Sequence, residues 1–266
     1  MGFGIFCILY TFVKVKNFDK GFLSVWNLDS SDSEQAKQFQ SWNFFFIIIG
    51  IFYKMYYLSQ ELFFPPVSEA NEDGILAIGG DLNTERLKMA YNSGIFPWFN
   101  EGEPILWWSP DPRMVLFLDE LIVSKSMRNI LNRNQFKVTF NQNFKDVISN
   151  CQKIKRDGQD GTWISNEMIN AYCKLHEQGI AKSVEVWQDE VLVGGLYGID
   201  LGDIFCGESM FSKVSNASKV AFIALVNKLE KENYKLLDCQ VYNPHLESLG
   251  CREIDRDEFM SVLKSK

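Results

Sequence analysis

The chain has 266 residues, 46% hydrophobic and 23% charged, which excludes the disordered, collagen-like and disulfide-scaffold classes and leaves material for a full core in one or two domains. Lys+Arg 27 against Asp+Glu 34 gives a net charge of −7, so no global positive field holds nucleic acid, and any such contact needs a local basic patch. The six cysteines (Cys7, Cys151, Cys173, Cys206, Cys239, Cys251) show no C-x-x-C spacing, and only His176 and His245 accompany them; they read as reduced thiols of a cytoplasmic protein without a zinc signature.

Residues 1–54 hold ten of the 22 phenylalanines and none of the seven prolines, and the composition breaks near Met55. Met1 to Val13 lacks the charged start and small-residue cleavage site of a secretory signal. Phe44 to Tyr53 is apolar apart from Gly50 and the tyrosine hydroxyl, yet shorter than the ~20 residues a spanning helix needs. The stretch reads as translated sequence upstream of a true start at Met55, as a buried or interfacial helix, or as a membrane anchor.

Beyond Met55, Pro65, Pro66 and the Gly/Asn/Asp-rich run Asn71 to Asp81 predict loop and turn around one short apolar piece, Ile75 to Ile78. Thr84 to Asn92 reads as a helix with a threonine N-cap and Gly94 past its end. Ile95 to Arg113, dense in aromatics and prolines, predicts an irregular, rigid loop. Then follow strand Met114 to Phe117, helix Ser124 to Asn132, strand Lys137 to Phe140, and helices Asn143 to Cys151 and Asn166 to Gln178. Ala181 to Trp187, Val191 to Ile199 and Ile204 to Phe211 form a meander of strands; helix Asn216 to Asn233 and strand Lys235 to Tyr242 complete the pattern. The expected organisation is an apolar extension (1–54), a small loop-rich domain (55–115) and an α+β mixed-sheet domain (116–266).

Asp238 and Gln240 lie two apart in a strand and so share one face, which is also how the solvated face of an ordinary strand looks. Glu208 is less ordinary, because a carboxylate inside Phe205-Cys206-Gly207-Glu208-Ser209-Met210-Phe211 is costly to bury without partners. Trp98 and Trp163, each near turn residues, are candidates to stack a nucleobase or simply to pack. Lys125, Arg128, Arg133 and Lys137, with Lys153, Lys155 and Arg156, are candidate phosphate contacts or plain solvated surface. No Cys-His nucleophile context, P-loop or Rossmann fingerprint occurs.

The stretches Gly79-Gly80-Asp81-Leu82, Gly94-Ile95-Phe96-Pro97-Trp98-Phe99, Trp107-Trp108-Ser109-Pro110-Asp111-Pro112-Arg113, Gly161-Thr162-Trp163-Ile164, Val193-Gly194-Gly195-Leu196-Tyr197-Gly198, Phe205 to Ser212 and Asp238-Cys239-Gln240-Val241 follow one another from about Phe63 onward. Together they resemble the bacterial leucyl/phenylalanyl-tRNA–protein transferases; residues 1–54 have no counterpart. The resemblance implies a small N-terminal domain before an acetyltransferase-like (GNAT-like) domain. It implies transfer of Leu or Phe, and less well Met, from aminoacyl-tRNA to the N-terminal Arg or Lys of acceptor proteins, marking them for degradation. No metal or other cofactor is implied, no membrane partner is expected, and the chain is expected to act as a monomer. By position, Trp98 and Trp163 match the residues that hold the terminal adenosine, and Leu196, Phe205, Met210 and Leu237 the wall of the aminoacyl pocket, with Leu196 standing where Met is expected. Glu208, Asp238 and Gln240 match the catalytic and acceptor-binding positions. Phe205 and Met210 are five apart, so both can face one pocket only if the strand bulges, with Gly207 the expected place. A membrane-associated or inactive tRNA- or peptide-binding relative is the rival reading; an acetyl-CoA enzyme lacks its Q/R-x-x-G-x-G/A loop.

Overall fold

A computed structural model describes residues 55–154 and 163–265; the readings made on residues 1–54, and on Lys155, Arg156, Gly161 and Thr162, lie outside the described residues. Two sheets organise the rest. The first contains β1 (Tyr56–Leu58), β2 (Ile75–Gly79), β3 (Phe96–Pro97) and β4 (Leu106–Trp108), in the order β1-β2-β4-β3, with α1 (Thr84–Asn92) between β2 and β3. The apolar piece at Ile75 is therefore a strand, and the proline-rich segment contains two more. Pro97 is tolerated because β3 is the edge of its sheet, where a missing N–H interrupts no ladder. The helix begins where expected, but its cap is Asn83 rather than Thr84. Asn83 keeps an extended backbone and its side chain accepts from the Arg86 N–H at 2.8 Å, whereas Thr84 is already helical. Gly94, at φ +73°, closes the helix from the other end.

The second sheet is seven-stranded, in the order β11-β5-β10-β9-β8-β7-β6. Its strands, with the intervening helices, run β5 (Arg113–Phe117), α2 (Lys125–Asn132), β6 (Lys137–Phe140), α3 (Phe144–Lys153), α4 (Asn166–Glu177), β7 (Ala181–Gln188), β8 (Val191–Asp200), β9 (Ile204–Ser212), α5 (Ala217–Lys231), β10 (Leu236–Gln240), α6 (Pro244–Glu247), β11 (Arg252–Ile254) and α7 (Arg256–Lys264). The expected meander is β7-β8-β9, antiparallel throughout; α5 then crosses over and returns β10 parallel to β9. The sheet is thus mixed, with helices on both faces, as the α+β reading anticipated.

Alternation sorts the side chains. On one face Val115, Tyr197, Cys206, Phe211 and Leu236 pack with α3, α4 and the first sheet. On the other, Leu116, Leu196, Phe205 and Leu237 pack beneath α5, which buries eight residues including Val220, Phe222 and Leu225. At an order of ~2 kcal/mol for each large apolar side chain removed from water, α5 is a principal anchor of this face. Gly198 is required there, because a Cβ would fall inside the van der Waals shell of the Cys206 carbonyl and the Phe205 ring.

Candidate active site

The site begins with a break in register. Between β8 and β9 the pairing steps from Tyr197–Ser209 to Gly198–Gly207, so Glu208 is an extra residue on β9 with no partner on β8. The expected bulge is present, at Glu208 itself rather than at Gly207. Alternation from Cys206 already turns Glu208 to the face of α1 and α4; the bulge reverses the facing of the residues after it, and so restores Phe205 and Met210 to a common face, where both pack in the α5-side core.

On its other side β9 pairs with β10 only over Ile204–Leu236, Phe205–Leu237 and Cys206–Asp238. Beyond Asp238 the chain turns at Gln240, whose φ of +66° is left-handed. For a residue with a Cβ that conformation costs about 1 kcal/mol, and the Gln240 N–H, donating to Asp238 Oδ1 at 2.9 Å, offsets it. The turn carries the Gln240 side chain over the open end of the ladder, and its Nε2 donates to Glu208 Oε1 at 2.9 Å. Glu208 and Gln240, 32 residues apart in sequence, thus meet where β9 and β10 part.

Three donors converge on Glu208: Gln240 Nε2, Tyr91 OH to Oε1 at 2.8 Å, and Tyr172 OH to Oε2 at 3.2 Å, while the two tyrosine hydroxyls also contact each other. Burial pushes the Glu208 carboxyl up to about 7, and the three hydrogen bonds hold it back from rising further. Both tyrosines are raised well above their ordinary value, first by burial and then by the Glu208 charge. With Glu208 ionised, the two hydroxyl protons serve the carboxylate and none is left for the Tyr91–Tyr172 contact. Protonation of Glu208 supplies the missing one. The cluster can therefore hold either state near neutral pH.

Asp238 occupies a drier place. The solvated-face alternative fails for it: Asp238 is 0% exposed and forms a two-pronged ion pair with Arg113, at 2.9 Å to Oδ1 and 2.7 Å to Oδ2. The face is covered because the first sheet, α1 and α7 close over it, through contacts distant in sequence.

Leu196 stands opposite Met210, and Leu237 opposite Phe205, so the four residues expected to line the pocket form one patch on the α5 face. Trp98 and Trp163 are half-buried and pack on the opposite, Glu208-side core; Trp98 lies 5.4 Å from the Trp108 ring and accepts its indole N–H through the backbone carbonyl at 2.7 Å. Glu208, Asp238, Gln240 and the two tryptophans thus share one side of the sheet and the apolar patch has the other, with the opening beyond Cys206–Asp238 between them. A cavity of about 240 Å³ lies further along the α5 face and shares Phe205 with the patch. Lys125, Arg128, Arg133 and Lys137 are exposed. Sequence reasoning missed Tyr91, Tyr172 and Arg113. The available signal was a carboxylate in an apolar strand, which demands donors, but nothing local names them.

An opening in a sheet with a carboxylate and a carboxamide at its mouth and an apolar patch behind it suits a group transferase whose donor arrives already activated. Residues 115–264 match the family model described as leucyl/phenylalanyl-tRNA protein transferase, and residues 80–111 match that of its N-terminal domain. A leucyl/phenylalanyl-tRNA–protein transferase of Flavobacterium johnsoniae is 82% identical over 212 residues, 80% of this chain and 100% of that protein. The one from Flavobacterium psychrophilum is 67% identical over 210 residues, covering 79% and 100%. Among solved structures, a GCN5-related N-acetyltransferase from Kribbella flavida superposes with a TM-score of 0.32 at 8% identity, covering 66% of this chain and 63% of that one. The chain belongs to the leucyl/phenylalanyl-tRNA–protein transferase family.

Proposed function

We propose that the chain transfers Leu or Phe, and less well Met, from aminoacyl-tRNA to the N-terminal Arg or Lys of acceptor proteins, marking them for degradation. The observation that carries this reading is the bonded set Glu208–Gln240–Asp238 at the open end of β9 and β10, backed by the apolar patch of Leu196, Phe205, Met210 and Leu237. The donor is an ester, so no activating cofactor is required. The acceptor α-amine has a pKa near ~7.7–8.0, and a useful fraction is neutral at cytoplasmic pH. Holding amine and ester carbon at attack distance supplies ~7–11 kcal/mol, so positioning dominates.

In this reading the amine nitrogen attacks the ester carbonyl carbon, the bond from that carbon to the ribose oxygen breaks, and the proton lost by the amine ends on that oxygen. Gln240 presents its carbonyl oxygen, the acceptor of its carboxamide, to an amine hydrogen, while its NH₂ is turned to Glu208. Asp238 fixes the Gln240 backbone. Glu208 supplies the negative charge that a cationic acceptor end or the aminoacyl ammonium calls for. The substrate side chain enters the apolar patch, the terminal adenosine rests on Trp98 and Trp163, and Lys125, Arg128, Arg133 and Lys137 meet tRNA phosphates. No helix among the described residues is long and apolar enough to cross a membrane. We assign the protein to the cytoplasm as a monomer, with residues 55–115 and 116–266 as its two domains and 1–54 outside the reaction. Incubating it with Leu-tRNA and a peptide beginning with Arg tests the reading: leucine appears on the peptide, and a failure of transfer under conditions where the protein is folded refutes it.

A further inference from the structure

Arg113 ends the motif Trp107 to Arg113, and the transfer chemistry above leaves it without a part. Its side chain is 2% exposed and all three of its nitrogens donate. Nε and Nη2 bind the two oxygens of Asp238, Nη1 donates to the Gly94 carbonyl at 3.2 Å, and the guanidinium carbon lies over the rings of Phe96 and Phe259, 4.9 and 4.6 Å from their centroids. Gly94 admits no side chain, because a Cβ there would press on the Met260 sulfur and come within 3.3 Å of the Phe259 ring. Arg113 is therefore clamped by the end of α1, by β3 and by α7 at once.

What the clamp holds is the carboxylate plane of Asp238. Oδ1 takes the Arg113 Nε–H and the Gln240 N–H, each at 2.9 Å, and the second of these bonds falls at the left-handed residue that aims the Gln240 side chain. A carboxylate free to rotate would offer that N–H no fixed partner. We infer that Arg113 is a positioning residue for the transfer reaction: through Asp238 it sets the backbone turn that presents Gln240 to the acceptor amine. The inference rests on the proposed roles of Asp238 and Gln240. A lysine would keep the charge but lose the two-pronged geometry, the Gly94 bond and the planar stacking.

The test compares three variants in kcat and KM on the full chain, with Leu-tRNA and an Arg-initiated peptide. Arg113→Lys lowers kcat at least about tenfold while KM for both substrates stays within about twofold. Arg113→Met placed in an Asp238→Asn background leaves no charge buried alone, so it folds, and kcat falls no further than in Asp238→Asn itself. Wild-type kcat in Arg113→Lys, or a double variant whose kcat falls well below that of Asp238→Asn, overturns the inference. If Arg113→Lys does not fold, or Asp238→Asn does not because Arg113 is left buried without its partner, the double variant against wild type still decides: it keeps Gln240, its kcat should fall at least about tenfold, and wild-type kcat overturns the inference. A wild-type protein that transfers no leucine counts instead against the proposed function.

Discussion

Replacing Glu208 by a glutamine separates the charge of the cluster from its shape. Burial raises the Glu208 carboxyl from 4.5 to about 7. At ~1.36 kcal/mol for each pKa unit, that displacement is worth roughly 3 kcal/mol between the two protonation states. The native state binds the Glu208 proton more tightly than the unfolded chain does. The stabilisation is therefore complete below pH 4.5 and is lost as the pH rises through about 7. The carboxamide of the Glu208→Gln variant would carry no charge at any pH and its oxygen could still accept from a tyrosine hydroxyl. The stability of Glu208→Gln relative to wild type should thus increase between about pH 5 and pH 8, by up to ~3 kcal/mol. Urea unfolding at half-unit pH steps measures the difference directly. A difference that stays flat across this range would show that the carboxyl is not destabilised by its burial, and the account of the Tyr91–Tyr172–Glu208 cluster would fall with it. In transfer assays the same variant should lose the rise of kcat/KM centred near pH 7 for Arg-initiated peptides, leaving only the titration of the acceptor amine.

The remaining expectations concern the opening and the patch. Gln240→Ala should reduce kcat by a factor on the order of 10² while aminoacyl-tRNA binding, followed by filter retention, stays near wild type. Asp238→Ala should lose turnover as well and, because Arg113 is left buried without its partner, also ~3–5 kcal/mol of stability in urea; wild-type turnover in both removes them from the mechanism. Gly198→Ala should destabilise the protein by at least ~1–3 kcal/mol in urea, because the Cys206 carbonyl of the neighbouring strand and the Phe205 ring both have to move. The displaced ring narrows the patch, so Phe transfer should fall more than Leu transfer. Ile-tRNA and Val-tRNA should be poor donors beside Leu-tRNA, since branching at Cβ makes these side chains stiff and wide where they enter; equal rates would show that the patch is not the aminoacyl pocket. A chain beginning at Met55 should fold cooperatively and transfer leucine at the rate of the full chain, as measured by urea unfolding and peptide mass.

Legibility followed sequence distance. Helix α5 and the β7-β8-β9 meander are written in local periods, and their bounds come within about two residues of expectation because burial on one face enforces the pattern over many positions. The bulge was also legible, since Phe205 and Met210 can share a face in no other way. The short strands β3 and β4 were hidden because proline normally argues against a ladder, and only their place at and near a sheet edge makes it harmless. Asn83 and Thr84 are both good caps, and one residue decides between them. The partners of the site were beyond any local signal: Tyr91 and Glu208 are 117 residues apart, and Arg113 and Asp238 are 125 apart. Asp238 looked solvated because alternation reports which side a residue faces, and says nothing about what covers that side.

The central claim is that Gln240, held between Asp238 and Glu208, presents an acceptor's free α-amine to the aminoacyl ester. A single-turnover transfer from Leu-tRNA to a peptide beginning with Arg and containing an internal Lys, run beside its N-acetylated copy and with the product sequenced by tandem mass spectrometry, tests it most directly. The account predicts leucine on the α-nitrogen of the free peptide alone, at a rate that collapses in Gln240→Ala. Leucine on the lysine side chain, equal labelling of the acetylated peptide, or an unchanged rate in Gln240→Ala would contradict it.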